Sequence, residues 1–269
     1  MAAFFGGVVA QEIVKFTGKY SPLKQWLHYD IFESLPRTAE INREPLGCRY
    51  DDQILVYGRE VQEKLTKVKT FMIGAGALGC EFVKAFALMG VGCSQEGKVT
   101  VTDNDNIEVS NLNRQFLFNR SHLGQQKSRI ACEKARDINQ AMNGADYNLL
   151  VEAKTENIFN DNFWESLDFV VSAVDNIRAR LYLDSRCIEY GKPLLESGTL
   201  GTKASSQMII PHKTLCYADI QDTPEESIDM KRSRRFPSQI DHCIEWGRDN
   251  FQKLFIDRVE DTVLYIQNP

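Results

Sequence analysis

Gly74-Ala75-Gly76-Ala77-Leu78-Gly79 stands between the apolar run Thr70 to Ile73 and a helical stretch from Leu78 to Met89. Glycines at Gly74, Gly76 and Gly79 let the backbone approach a phosphate at the amino terminus of a helix. The same string also suits a tight strand-to-helix turn. Its strand, loop and helix setting favours a nucleotide, of a kind the string leaves open. Asp103 ends the next apolar run, where a carboxylate can accept hydrogen bonds from ribose hydroxyls, and Asp175 ends another. A single Asp after a strand is more often a turn or helix cap. The glycine loop, Asp103 and Asp175 together share the carboxyl ends of strands, where open parallel sheets bind ligands.

A hydride-transfer enzyme using a nicotinamide cofactor needs little more than this loop and Asp103. The chain adds Asn111-Leu112-Asn113-Arg114-Gln115-Phe116-Leu117-Phe118, and then Lys127 near a helix start. Arg114 and Lys127 could neutralise a triphosphate, stabilising charge that grows on a phosphate undergoing displacement. Asp105 and Asp175 are the candidates to hold the accompanying magnesium ion. Taken singly, Arg114 and Lys127 read as solvated surface charges, and Phe116 and Phe118 as core.

These residues need a frame, and the chain alternates apolar runs with helical stretches. The runs are Thr70 to Ile73, Lys98 to Thr102, Leu149 to Ala153, Phe169 to Val174, Pro193 to Glu196 and Ser206 to Ile210. Helices are expected over Leu78 to Met89, Leu123 to Met142 and Ala179 to Tyr190. Strand and helix in turn imply an α/β fold with a doubly wound, mostly parallel sheet covered on both faces. Ahead of it, Ala2 to Phe16 reads as a helix, the apolar run Gln25 to Phe32 as a strand, and Leu35 to Arg49 as a connecting segment. Beyond Pro211 the alternation stops, and a charged stretch leads to a short helical extension around Ile240 to Phe255.

The 269 residues suffice for one large domain with flanking pieces. A formal charge of -5, with both signs mixed along the chain, gives no case for nucleic acid or an anionic membrane. The seven cysteines include no Cys-x-x-Cys pair, which argues against zinc and suits a reducing compartment. No basic segment precedes the small apolar start, so no signal peptide is read, and no run reaches the length of a membrane span. A soluble intracellular chain is expected.

The longer strings carry a resemblance. GAGALGCE at Gly74, VTDNDNIEVSNLNRQFLF at Val101, SAVDNIRAR at Ser172 and PLLESGTLGTK at Pro193 resemble the active adenylation domain of ubiquitin-activating enzymes, a Rossmann-like, ThiF/MoeB-like domain. AAFFGGVVAQEIVKFTGKYSPLKQWLHYD is similar to the end of that family's inactive adenylation half. IDHCIEWGRDNFQKLF at Ile240 is similar to the opening of its catalytic-cysteine domain. The resemblance implies three parts: 1–49, the end of the inactive half with a connecting segment; 50–211, the ATP-binding domain; and 212–269, a crossover loop with the start of the cysteine domain.

It implies too that Ala77, Asp103, Arg114, Lys127, Asp175 and Asn176 contact ATP, within the loop of Gly74, Gly76 and Gly79. Asp103 would take the ribose, Arg114 and Lys127 the phosphates, and Asp175 would lie beside Mg2+. Asn111, Gln115 and Asp105 would complete the pocket. The implied reaction joins the carboxylate of ubiquitin's terminal glycine to the α-phosphate of ATP. Implied partners are ubiquitin, a ubiquitin-conjugating enzyme recruited through regions absent from this sequence, and the rest of the inactive half. The implied location is cytoplasm and nucleus.

One departure stands out. The family receives the acyl group on a cysteine in a Pro-x-Cys-Thr motif shortly before Phe-Pro, whereas Lys231 occupies that position ahead of Phe236-Pro237. Cys216 and Cys243 do not match the motif, and each reads as a buried small hydrophobe. No thioester is expected. The basic run Lys231 to Arg235 reads as solvated. A start inside a domain of the family leads to the expectation of a fragment, either adenylating or only binding nucleotide or ubiquitin.

Overall fold

A computed structural model describes residues 2–18, 20–35, 41–147, 149, 159–200, 203–219 and 240–257. Its centre is a sheet of order β3-β2-β1-β4-β5-β6. The strands are β1 (Lys69–Ile73), β2 (Lys98–Thr102), β3 (Gly144–Tyr147), β4 (Phe169–Ser172), β5 (Leu194–Leu200) and β6 (Lys203–Ile209). In β1 and β2 only the first lysine is exposed and the next four residues are buried. Burial on both faces is what central parallel strands require. The register sets Ile73 against Thr102 on one side and Ser172 on the other. β3 and β5 continue the parallel array, and β6 returns antiparallel to β5. The chain winds outward from β1 to β3, then restarts at β4 on the other side of β1. That reversal opens a crevice at the carboxyl ends of β1 and β4.

Helices cover both faces. α4 (Ala77–Met89) and α5 (Lys127–Ile138) pack on one side with Val83, Phe86, Ile130 and Ala135 in the core. α7 (Ile177–Glu189) and the short α6 (Asp161–Glu165) pack on the other around Phe71, Trp164, Leu183 and Leu194. Ahead of β1, α2 (Asp51–Tyr57) and α3 (Arg59–Lys67) meet at Gly58, whose φ of 90° suits glycine. The Arg59 side chain ties α3 to the Glu44 and Pro45 carbonyls.

The structure corrects several expectations. No strand forms among described residues 20–35; a 3-10 turn at Phe32–Ser34 is the one regular element there. The segment lies instead along α1 (Ala2–Lys15), with the Leu23 N–H on Glu12 and the Phe4 ring stacked 4.7 Å from Tyr29. The third strand among the described residues is Gly144–Tyr147, ahead of the expected run Leu149 to Ala153. Its place follows from pairing of Gly144 with Val99, for which Gly-Ala-Asp-Tyr gives no alternation signal. Residues 150–153 lie outside the described residues. The carboxyl-terminal helix α8 (Ile240–Phe251) continues as a π-helical turn, Gln252–Asp257.

Candidate functional site

The glycines divide by task. Gly74 follows β1 with φ of 95°, and a Cβ there would lie 2.5 Å from the Ala173 carbonyl at the end of β4. A Cβ on Gly79 would lie 2.2 Å from the Gly74 carbonyl. Both are therefore required for packing of strand against helix. Gly76 differs, because a Cβ there would meet nothing within 4 Å. It precedes Ala77, the first residue of α4, whose amino terminus no side chain caps. Open space before an uncapped helix start is an arrangement that accepts a phosphate.

Asp103 closes this loop from β2. Its carboxylate accepts the Ala75 N–H at 2.7 Å and the Asp105 N–H at 2.8 Å. Burial pushes the Asp103 carboxyl up from its ordinary value, opposed by these two N–H groups and by the Lys127 charge. Lys127 begins α5 and is only 7% exposed. Its Nζ donates to Asp105 Oδ2 at 2.8 Å, and its N–H donates to the Asp105 carbonyl. The ammonium is buried, unlike the solvated surface charge that Lys127 taken singly would suggest. The Asp105 side chain remains 62% exposed, but one of its oxygens is committed to Lys127.

The segment after β2 brings in Asn111 and Gln115, both buried. Asn111 Oδ1 accepts the Glu108 N–H at 2.9 Å, bracing a 3-10 turn at Val109–Asn111. Gln115 is 3% exposed, and its Oε1 has no donor among the described residues. An orphaned buried acceptor is costly, and a ligand hydroxyl or amino group would satisfy it. Arg114 is exposed, with Nη1 on the Ser110 carbonyl at 2.7 Å. Phe118 is core as expected, but Phe116 is 56% exposed beneath the Lys84 ammonium. The tight turn sends Gln115 and Leu117 inward and Phe116 out.

Across the crevice, Asp175 is exposed at the β4–α7 corner. Asn176 caps α7, accepting the Ala179 N–H at 2.8 Å, so its oxygen is already engaged. Among the described residues no cluster of three or more His, Cys, Asp or Glu side chains could hold a metal by itself. Magnesium commonly takes one or two carboxylates and completes its shell with phosphates and water. Asp175 meets that need more freely than Asp105.

Sequence reasoning missed the groups behind Asp175: Arg180, Asp184, Glu196 and Tyr217. Their signal was the spacing of Arg180 and Asp184 four apart on a helix, with a lone Glu196 in the apolar run Leu194-Leu195. Cys216 is half-buried and Cys243 exposed, so Cys243 is not the buried hydrophobe expected. Lys231 and the basic run to Arg235 lie outside the described residues. A separate open depression of about 510 Å³ lies at the amino-terminal end of the sheet, lined by Lys67, Lys69, Glu96, Lys98 and Asp168. It shares no residue with the site.

Comparison with known proteins agrees with this fold. The family model described as ThiF family matches residues 50–243, and that described as ubiquitin-activating enzyme, SCCH domain, matches residues 237–269. Ubiquitin-activating enzyme E1 1 of Candida albicans is 47% identical, over 100% of this chain and 27% of its own length. The Schizosaccharomyces pombe enzyme of that name is 46% identical over 100% of this chain and 27% of its own length. Human ubiquitin-like modifier-activating enzyme 1 is 45% identical over 99% of this chain and 26% of its length. The chain thus spans about a quarter of the length of the relatives it matches. Among solved structures, Escherichia coli MccB with succinimide has a TM-score of 0.59 at 22% identity, over 73% of this chain and 58% of that one, a likeness of fold. The chain belongs to the ThiF family, and along its whole length it is similar to ubiquitin-activating enzymes.

Proposed function

We propose that the chain supplies the ATP site at which a ubiquitin-activating enzyme adenylates the terminal glycine carboxylate of ubiquitin. The carrying observation is the buried Lys127 ammonium, linked through Asp105 and Asp103 to Ala75 at the uncapped start of α4. The nicotinamide reading gives no role to Arg114, Lys127 and Asp175 together. Asp103 would accept from the ribose, the glycine loop would receive phosphate, and Gln115 Oε1 would take a donor from the nucleotide. Arg114 would turn from the Ser110 carbonyl to become the second phosphate cation. Asn111 holds the turn that carries both.

A carboxylate oxygen of ubiquitin attacks the α-phosphorus of ATP. The bond from that phosphorus to the oxygen bridging to the β-phosphate breaks, and pyrophosphate leaves with the electron pair. The product is a mixed anhydride of glycine and AMP. No protein nucleophile takes part, so rate enhancement comes from positioning and fixed charge. Magnesium held beside Asp175 would neutralise charge on the phosphates. Residues 50–211 form the nucleotide unit in this reading, 1–49 end the inactive half, and 212–269 begin the cysteine domain. The remaining inactive half and a ubiquitin-conjugating enzyme are the further partners, in cytoplasm and nucleus.

Ubiquitin-dependent exchange of pyrophosphate into ATP tests this reading. Exchange by the chain, lost on Asp175→Ala, is the expected result. Tight ATP binding without exchange from a folded chain would favour a binding module that needs a further partner to act. With Lys231 at the family's cysteine position, the reaction stops at the adenylate. A reductant-sensitive ubiquitin adduct on a non-reducing gel would overturn that statement.

A further inference from the structure

Behind the exposed Asp175 lies a charge pair, a half-buried guanidinium and a buried carboxylate, that no step above uses. Arg180 Nε is 3.0 Å from Glu196 Oε1, with the two side chains only 17% and 7% exposed. The same guanidinium donates through Nη2 to the Val174 carbonyl at 3.0 Å, one residue before Asp175. It rests on Gly198, where a Cβ would come within 2.6 Å of Nη2, and it lies 5.9 Å from the centre of the Tyr217 ring. One turn further along α7, buried Asp184 accepts the Tyr217 N–H at 3.0 Å and the Ala218 N–H at 3.1 Å.

Taking an Arg–Glu pair out of water is expensive, and well-packed apolar residues would hold α7 on β5 at least as well. What an apolar pair cannot supply is a rigid planar fork that reaches two acceptors at once. One of those acceptors is the backbone carbonyl that sets the direction of the Asp175 corner. The other is anchored in β5, at the register position paired with Ser172 of β4.

We propose that Arg180 is a positioning residue that holds the Asp175 corner in place for a magnesium–nucleotide complex, with Tyr217 as the lid that keeps the guanidinium seated. The proposal rests on the nucleotide reading of the site given above. It also makes the 210–219 segment part of the same unit as the corner, because Asp184 fixes Tyr217 while Arg180 fixes Val174. Lysine at position 180 keeps the charge facing Glu196 but loses the fork.

The test uses the full 269-residue chain and its Arg180→Lys variant, titrated calorimetrically with ATP in magnesium and with ATP in excess chelator. Loss of at least about tenfold in magnesium–ATP affinity is expected, the usual size for a residue that orients a metal ligand, with metal-free ATP binding unchanged. Amide hydrogen exchange should quicken at Asp175 and Asn176 and stay constant in β1. Tyr217→Leu, which leaves the ion pair in place, should give the same split at smaller size and guards against misfolding of the first variant. Equal weakening of both nucleotide forms, with faster exchange in β1 as well, would reduce Arg180 to general packing and overturn the proposal. If the unaltered chain binds neither form, the nucleotide reading fails. Exchange then decides the positioning role alone: unchanged rates at Asp175 and Asn176 in Arg180→Lys overturn it.

Discussion

The two walls of the crevice are built on opposite plans. On the β1–β2 wall the polar groups are spent on each other: Asp103 on the Ala75 and Asp105 amides, Asp105 on Lys127. On the β4–β5 wall Asp175 stands exposed, and the buried polar contacts lie behind it, at Arg180, Glu196 and Asp184. The first wall is a preformed cradle whose shape and stability are one property. The second keeps its carboxylate available and spends burial on aiming it. Substitutions at the packing glycines of the first wall should therefore change stability and binding together, whereas at its ligand-facing groups they should change binding with or without metal, and at Asp175 binding of the metal complex alone.

Gly79→Val tests the cradle hardest. The new side chain would begin 2.2 Å from the Gly74 carbonyl, a clash with backbone that no rotamer relieves. A loss of about 3 kcal/mol in unfolding free energy is expected by urea titration. Gly76→Val, three residues away, opens into empty space and should stay within about 1 kcal/mol of the parent while losing ATP binding. Equal destabilisation by both substitutions would show that the loop is a packing turn and remove the division between its glycines.

Lys127→Met comes next in size. Methionine fills much of the buried stem, and the abandoned Asp105 carboxylate is exposed enough to be solvated, so stability should hardly move. A charge-assisted contact to phosphate is worth about 2 kcal/mol, which predicts roughly thirtyfold weaker ATP binding. The effect should persist in chelator, because this wall acts without the metal. Asp175→Ala should instead leave stability within about 0.5 kcal/mol, as for an exposed side chain with no partner among the described residues. Its penalty should appear in magnesium and vanish in chelator. Equal penalties for the two variants in chelator would erase the contrast between the walls.

What the sequence made legible follows the same contrast. Apolar runs after lysine marked β1 and β2 because both faces of those strands are buried, and the glycine string marked the cradle because its chemistry is contiguous. β3 was missed because pairing with β2, rather than any pattern in Gly144 to Tyr147, makes it a strand. Gln25 to Phe32 carries strand-like apolar residues, yet among the described residues it has no edge to pair with and lies along α1. Taken singly, Lys127 read as solvated because its burial comes from the placement of α5 against the loop after β2. The Arg180–Glu196 pair joins residues 16 positions apart in two elements, and only their meeting shows that the charges serve the Asp175 corner.

The finest distinction concerns protons on the cradle wall. Burial raises the Asp103 carboxyl above its ordinary value of 3.8, so the folded chain holds that proton more tightly than the unfolded one. The resulting stability is fully present below the unfolded value and is lost as pH rises through the folded one. Asp51 carries the opposite slope, since the Leu46, Cys48 and Gly47 N–H groups hold its carboxylate below the ordinary range. Subtracting the stability of Asp103→Asn from that of the parent cancels Asp51 and leaves Asp103. Between about pH 3 and pH 7 that difference should shift in favour of the parent as pH falls. A shift in favour of the parent as pH rises would mean that the Ala75 and Asp105 amides and Lys127 outweigh burial. The cradle would then be a site that stabilises its own anion, and its stability would no longer be tied to the contacts that shape it for ribose.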